Sequence, residues 1–262
     1  MDTQKSSSKL SATLLALILG ASVFMAGQVW AAKYVTDPTT GKVVTAPEYG
    51  GTITYPLIEE YDNPDVVLSG VWGNQFFNGV LEKLGTADWG IDRAEYGFIG
   101  LSAPLFAMTG QLAESWSQPD PLTYIVKVRQ GVHWHDKLPM NGRALTADDI
   151  VFNYHRMMGL GSGFTEPTQF TQALKSLSFE SITATDESTV VFKLKEPHLN
   201  GLAAILDDWI AFMYPPEVIK QYGDATDWKN LVGTGPFMLT DVVEGSSKTF
   251  IKNPCLLYTS PS

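Results

Sequence analysis

The stretch "LAESWSQPDPLTYIVKVRQGVHWHDKLPMNGRALTADDIVFNYHR", Leu112–Arg156, decides the fold. Tyr124, Val126 and Val128 alternate with polar residues, which is the period of a strand with one buried face. Further along, Thr146–Asp149 resembles a capping box, and apolar residues then recur at helical spacing. The stretch therefore predicts a strand, a polar loop with a tight turn at Asn141-Gly142, and a capped helix in that order.

The loop of this stretch carries His133, His135 and Asp136 within four residues. Two histidines two positions apart in an extended segment point to the same side, so they could ligate zinc or nickel. A closed metal site needs further ligands, and only two other histidines exist in the chain. Metal ligation and acid/base chemistry stay open, but we favour a strand end at which Trp134 packs inward while both histidines face solvent.

Hydrophobic periodicity predicts further elements on both sides of this stretch. The predicted elements are a strand over 52–57, an amphipathic helix over Val71–Leu84, a hairpin around Ile182 and Phe192 that turns at Asp186–Ser188, a helix over 215–222 that stops at Gly223, and a hairpin over 233–254 that turns at Glu244–Ser246. The "GLGSG" run at 159–163 follows a helix, which favours a helix stop over a phosphate cradle. Mixed helices and strands in irregular order indicate an α/β or α+β fold.

The first 31 residues differ from the rest of the chain. Lys5 and Lys9 precede an apolar run, and small residues follow at Ala31 and Ala32, which is typical of a secretory signal peptide. The alternative is a retained membrane anchor. Residues 32–46 are linker-like. The only cysteine is Cys255, which excludes an intramolecular disulfide and, by its position, lipoprotein acylation, so we expect a periplasmic protein.

Composition narrows the classes of partner. The 262 residues are 44% hydrophobic, which is enough for a packed core, and the formal net charge is −10. Lysine and arginine do not cluster anywhere along the chain. An extended phosphate-binding surface therefore has no electrostatic basis, and nucleic acid is excluded as a partner.

Two segments together carry a family resemblance. Leu112–Arg156 and "NLVGTGPFMLTDVVEGSSKTFIKNP", Asn230–Pro254, resemble solute-binding protein family 5, the peptide, dipeptide and nickel type of ABC-transporter substrate-binding proteins. The resemblance implies a mixed α/β periplasmic binding protein-like class II lobe with an inserted smaller domain. It also implies a monomer with no enzymatic activity, cofactor or metal, which closes around a short peptide or similar solute and delivers it to a permease in the inner membrane.

The resemblance also implies a domain order. Residues 47–90 and 197–254 would form the first lobe, and 91–196 the inserted domain. Family members are roughly twice as long, so we expect the second large lobe to be missing here and 255–262 to be a foreign tail. An exposed apolar face and weak or no peptide binding by residues 32–254 follow from that expectation.

The candidate ligand-binding residues come from the same resemblance. It places Glu196–Pro216 close to the cleft between the lobes, and Asp208, Trp209 and Phe212 lie in this segment. Ser69 and Trp72 are candidates on the same grounds. The competing interpretation for each is an ordinary core or surface position.

Two other functions are compared with this one. A secreted metal-dependent hydrolase would use His133, His135 and Asp136, and a membrane-anchored interaction protein would keep residues 1–31. The hydrolase needs a nucleophile or further metal ligands close to the histidine pair.

Overall fold

The computed structural model describes residues 34–37, 41–46, 50–56, 63–69, 77–99 and 103–256. Its helices are α1 Val66–Ser69, α2 Ala147–Met158, α3 Gln172–Lys175, α4 Gly201–Asp207 and α5 Pro216–Tyr222. Its strands are β1 Tyr34–Thr36, β2 Val43–Thr45, β3 Gly85–Ala87, β4 Met108–Gly110, β5 Ala113–Asp120, β6 Thr123–Val128, β7 Phe179–Asp186, β8 Thr189–Leu194, β9 Phe237–Val243 and β10 Ser247–Lys252. The chain divides into two compact units, residues 1–57 and 58–262.

A four-stranded antiparallel sheet in the order β5-β6-β8-β7 organises the second unit. Val126 of β6 lies opposite Val190 of β8, so the buried faces of the two strands coincide. Helix α2 packs against β7 and β8, and the Tyr154 ring meets the Phe192 ring edge to face at 4.9 Å between centroids. The predicted alternation in β6 and the predicted hairpin of β7 and β8 are confirmed.

Helix α2 begins and ends as the sequence predicts. The Asp149 carboxylate accepts the backbone N–H of Thr146 at 3.0 Å, so one donor of the helix start is satisfied by a side chain. Gly159 ends the helix in the left-handed conformation, with φ of 64°. Before the helix, Asn141 and Gly142 both have positive φ and form the predicted tight turn.

One expectation for the N-terminal part is wrong, namely the strand predicted over 52–57. The linker-like segment contains the hairpin of β1 and β2, whose residues are all exposed. Residues 51–56 contain no strand, and Ile53 is almost fully exposed. Alternation predicts a strand only where a neighbour supplies pairing and burial, and the described residues provide neither for this segment. The predicted signal peptide lies outside the described residues.

The helix predicted over Val71–Leu84 does not extend over residues 78–84. Residues 70–76 lie outside the described part, Phe77 alone is helical, and a turn follows. The backbone of 79–84 instead pairs with distant segments: Gly79 O accepts Phe237 N–H, and Leu84 O accepts Ala113 N–H. After the local bond from Leu81 N–H to Phe77 O, tertiary hydrogen bonds replace those of a helix, and the apolar side chains of Phe77, Val80, Leu81 and Leu84 are buried.

The remaining elements place α4 beside the two-stranded sheet of β3 and β4. Helix α4 contacts β3, and a Cβ on Gly85 would come 3.1 Å from Leu206 Cβ, so the two backbones approach closely there. β9 and β10 form the predicted hairpin, and α5 ends at Gly223 as predicted. Within the described residues, no helix has the length and apolar character needed to cross a bilayer.

Candidate functional site

A cavity of about 740 Å³ opens along α4 and the loop that follows it. We call it the α4 cavity. It is lined by Ala103, Pro104, Leu105, Met108, Gln118, Tyr124, Phe170, Ala173, Leu199, Asn200, Leu202, Ala203, Ala204, Asp207, Asp208, Trp209 and Ile210. The lining is mostly apolar with a few polar groups, which is the usual composition of a small-molecule site.

Tyr124 and Gly201 fix α4 against the sheet. The Tyr124 hydroxyl donates a hydrogen bond to the backbone oxygen of His198 at 3.2 Å, just before the helix. A Cβ on Gly201 would lie 2.5 Å from that hydroxyl. Only glycine therefore allows the first turn of α4 to sit this close to β6, and this contact sets the position of the cavity wall.

Asp207 is neutralised by a neighbouring cation. Its carboxylate forms an ion pair with Lys83, and both side chains are largely buried. Burial raises the pKa of Asp207, and the Lys83 ammonium opposes that shift. The same ammonium lies 5.2 Å from the centroid of the Phe212 ring, which contributes a cation–π contact.

Asp208 differs from Asp207 in its surroundings. It is only 8% exposed, and its Oδ1 accepts the backbone N–H of Ile210 at 3.1 Å. Burial raises the pKa of Asp208 and the Asp207 charge adds to the rise, whereas the Ile210 hydrogen bond and Lys83 lower it. Asp208 is therefore a buried acid whose charged form has incomplete support from the protein.

The sequence-predicted site residues fall in different places. Asp208 and Trp209 line the α4 cavity, and Trp209 is 39% exposed. Phe212 is buried and is not part of the lining. The Ser69 hydroxyl donates to the backbone oxygen of Asp65 at 3.0 Å, in the short helix α1, and also does not line the cavity. Trp72 lies outside the described residues.

Sequence reasoning did not identify the other walls of the cavity. Gln118 and Tyr124 come from the β5–β6 hairpin, Phe170 from the loop before α3, and Leu105 from a 3₁₀ turn. No local motif connects these segments.

The histidine motif has a structural environment that differs from the prediction. Trp134 is buried and His133 is exposed, as predicted, but His135 is also buried, so the prediction that both histidines face outward is wrong. His135 Nε2 donates to Gly235 O at 3.0 Å, and His135 Nδ1 accepts Gly233 N–H at 3.2 Å. The turn at 233–235 covers the ring, and nothing local in the sequence indicates this.

The geometry of the motif does not assemble a metal group. Both ring nitrogens of His135 are occupied by backbone partners, while His133 Nδ1 lies 2.7 Å from Gly142 O. A shared metal would have to displace a hydrogen bond of the buried ring. In the part of the chain that the structure describes, which includes all four histidines, no three His, Cys, Asp or Glu side chains are grouped to hold a metal ion.

The fold defines the class of protein. The Haemophilus influenzae OppA complex with RPPGFSPFR matches 75% of this chain and 37% of its own chain, with a TM-score of 0.59 and 21% identity. Periplasmic binding protein DppA from Helicobacter pylori, in complex with peptide STSA, matches 75% and 37%, with a TM-score of 0.55 and 22% identity. The mixed α/β fold is therefore that of the periplasmic binding proteins.

Sequence comparison gives the family. Residues 107–259 match the family model described as "Bacterial extracellular solute-binding proteins, family 5 Middle". The chain belongs to this family, which confirms the resemblance. The dipeptide-binding protein of Escherichia coli K12 is 31% identical over 148 residues, 49% of this chain and 26% of that protein. The probable D,D-dipeptide-binding periplasmic protein DdpA of the same organism is 29% identical over 150 residues. The chain spans about a quarter of the length of these curated relatives.

Proposed function

We propose that this chain belongs to the substrate-binding component of an ABC importer. It captures a short peptide or similar small solute and delivers it to a permease in the inner membrane, and it acts in the periplasm without chemistry of its own. The α4 cavity is the part of the ligand cleft that this chain supplies. Asp208 and Trp209 contact the solute, with Phe212 behind them; Ser69 and Trp72 remain predicted contacts.

The observation that carries the proposal is the α4 cavity on a family 5 fold. Its apolar lining, with Trp209 partly exposed and Asp208 buried beside it, suits a solute that has both an apolar and a polar part. The names of the curated relatives support peptides as the solute, because those proteins are described as binding dipeptides. The domain order of two lobe segments around an insertion at 91–196 is part of the same proposal.

Family membership also weighs against the hydrolase alternative. Family 5 proteins and the relatives named above are binding proteins. The hydrolase would have to work with His133 on the surface and His135 held by two backbone groups. Assay of the chain for peptide hydrolysis, with and without added zinc, tests this alternative directly, and turnover that disappears on replacing His133 and His135 would overturn the binding role.

Replacing Trp209 by Ala is expected to remove measurable peptide binding. From a single cavity of this kind we expect a dissociation constant of about 1 mM, and the loss of a contacting tryptophan weakens binding roughly tenfold further. Titration of the 262-residue chain with an alanine tripeptide, followed by protein chemical shifts, measures both affinities. Saturation in the millimolar range by the unaltered chain, and none by Trp209→Ala, is the expected result.

Trp89→Ala provides the control for this titration. Trp89 is more exposed than Trp209, stacks on Phe98 at 4.8 Å between ring centroids and does not line the α4 cavity. We expect its variant to bind the peptide as the unaltered chain does. Equal binding by the Trp209→Ala and unaltered chains would place the ligand elsewhere, and no saturable binding by any of the three chains would contradict the proposal that the α4 cavity is part of the ligand cleft.

A further inference from the structure

Asp208 is a buried carboxylate without an ion-pair partner. Of the acids in the α4 cavity, Asp207 is paired with Lys83, whereas no lysine, arginine or histidine within the described residues forms a salt bridge with Asp208. The hydrogen bond from Ile210 N–H occupies one oxygen, Oδ1. Its second oxygen, Oδ2, has no hydrogen-bond donor in the described structure. The group formed by Lys83, Asp207 and ionised Asp208 thus carries one uncompensated negative charge.

The uncompensated charge of Asp208 favours the binding of a cationic group. A carboxylate that is nine-tenths buried is costly unless a cation or several donors support it. Asp208 lines the α4 cavity, so a solute in the cavity can reach it. A cationic group of the solute would complete the missing ion pair, and its charge would favour the ionised form of Asp208.

The remaining lining indicates what should carry that cation. Apart from the two acids and Tyr124, whose hydroxyl is already bonded to His198 O, the polar side-chain groups of the described lining are those of Gln118 and Asn200 and the indole N–H of Trp209. A peptide backbone next to Asp208 would need several more hydrogen-bond partners. An alkyl chain needs none, and the apolar residues around Trp209 suit it.

We propose that the α4 cavity is a specificity subsite for a solute side chain that ends in a cation, with Asp208 as its ion-pair partner and the apolar lining, including Trp209, around its methylene stem. Lysine-like side chains have this chemistry. The inference rests on the proposed function and deepens it, because it names the class of solute that the cavity selects. Because Lys83 already forms an ion pair with Asp207, Asp208 is the residue that distinguishes a cationic solute side chain from a neutral one.

Two tripeptides test the inference on the 262-residue chain. Alanyl-lysyl-alanine and alanyl-norleucyl-alanine have the same termini and nearly the same side-chain stem, and only the lysine peptide carries the terminal ammonium. We expect the lysine peptide to bind about tenfold more tightly, since a charge-assisted bond to a buried acid is formed in that complex alone. Chemical-shift titration measures the two dissociation constants.

Variants of Asp208 assign the preference to this residue. Asp208→Asn is expected to bring the ratio of the two affinities to about one, because the lysine peptide then loses its ion-pair partner. Asp208→Glu keeps the charge at a displaced position and retains part of the preference. Glu180→Gln removes an exposed acid of β7 and should leave the ratio unchanged. The unaltered chain supplies the ratio even if a variant does not fold.

The possible results distinguish a failure of the cationic subsite from a failure of the proposed function on which it rests. Equal affinities of the unaltered chain for the two peptides would overturn the cationic subsite and leave the solute-binding role intact. A lysine preference that persists in Asp208→Asn would overturn the assignment to Asp208. Failure of both peptides, and of the alanine tripeptide, to saturate the chain would contradict the subsite and the place of the α4 cavity in the ligand cleft together.

Discussion

Replacement of Asp65 by Asn is expected to lower the free energy of unfolding by about 3–5 kcal/mol. Asp65 Oδ2 accepts a hydrogen bond from Arg156 Nη2 at 2.5 Å, and the side chains are 0% and 4% exposed, respectively. Asparagine keeps the volume but removes the charge. The Arg156 guanidinium would then be buried without its ion-pair partner, which costs far more than the loss of a surface pair.

The position of this ion pair in the fold increases its effect. Asp65 Oδ2 also accepts Ala225 N–H at 2.9 Å, so one carboxylate joins α1, α2 and the loop after α5. The Tyr214 hydroxyl reinforces the same junction, because it donates to Pro64 O at 2.7 Å and accepts Val66 N–H at 2.9 Å. Loss of the Asp65 charge therefore weakens the attachment of the whole 63–69 segment.

Urea unfolding followed by circular dichroism checks this prediction, with Glu217→Gln as the matched control. Glu217 pairs with Arg143, but both side chains are more than one-third exposed, so the control should lose less than about 1 kcal/mol. The double variant Asp65→Asn/Arg156→Met removes both charges and should be more stable than Asp65→Asn alone. Losses in the double variant that equal the sum of the single ones would show that the pair is not coupled.

The elements that the sequence predicted correctly are those specified by neighbouring residues. The alternation of β6, the N-terminal signal of α2 and the turn at Asn141-Gly142 all depend on side chains within a few positions of each other. These local patterns predict the fold correctly because tertiary contacts favour the same structure. Tyr124 and Val126 of β6 face the same core that α2 covers.

The incorrect predictions involve partners that are distant along the chain. The apolar period over 77–84 indicates a helix, but Gly79 and Leu84 pair with backbone at Phe237 and Ala113 instead. Periodicity correctly predicted which of these residues are buried, but it does not predict which groups form hydrogen bonds with their backbone. The ion pair of Asp65 and Arg156, separated by 91 residues, gives no signal in a single sequence.

In the candidate site, too, the sequence indicates residues that are neighbours along the chain but not their distant partners. Asp208 and Trp209 were identified through the family resemblance of one continuous segment. Gln118 and Phe170 complete the cavity from other parts of the chain, and their roles depend on the packing of the β5–β6 hairpin and α3 around α4. The sequence therefore predicts one wall of the site, whereas the remaining walls require the fold.

A second large effect is expected from pH, through the buried ring of His135. Burial lowers the pKa of His135 from 6.5 to about 4; the hydrogen bond to Gly235 opposes this shift, and the nearby Lys137 charge adds to it. The cause is visible in the contacts, because Nδ1 must stay unprotonated to accept Gly233 N–H. A proton there would place two donors against each other in a site that is 1% exposed.

The sign of the pH dependence follows from these values. The pKa of His135 is lower in the folded chain than in the unfolded chain, so between about pH 6.5 and 4 the unfolded chain binds more protons. The stability contributed by neutral His135 is thus complete above about pH 6.5 and is lost as the pH falls toward 4. A shift of this size corresponds to roughly 3 kcal/mol over that interval.

His135→Gln should remove this part of the pH dependence, because glutamine does not titrate. We expect urea midpoints of the unaltered chain to fall more steeply between pH 6.5 and 4 than those of the variant, by an amount equivalent to roughly 3 kcal/mol. His133→Gln is the matched control, since His133 is exposed two residues away, and it should keep the slope of the unaltered chain. Carboxylates that protonate in the same range contribute equally to all three chains, so the difference between slopes isolates His135. Parallel curves for His135→Gln and the unaltered chain would contradict the prediction and would mean that the 233–235 turn opens enough to let the folded chain take up the proton.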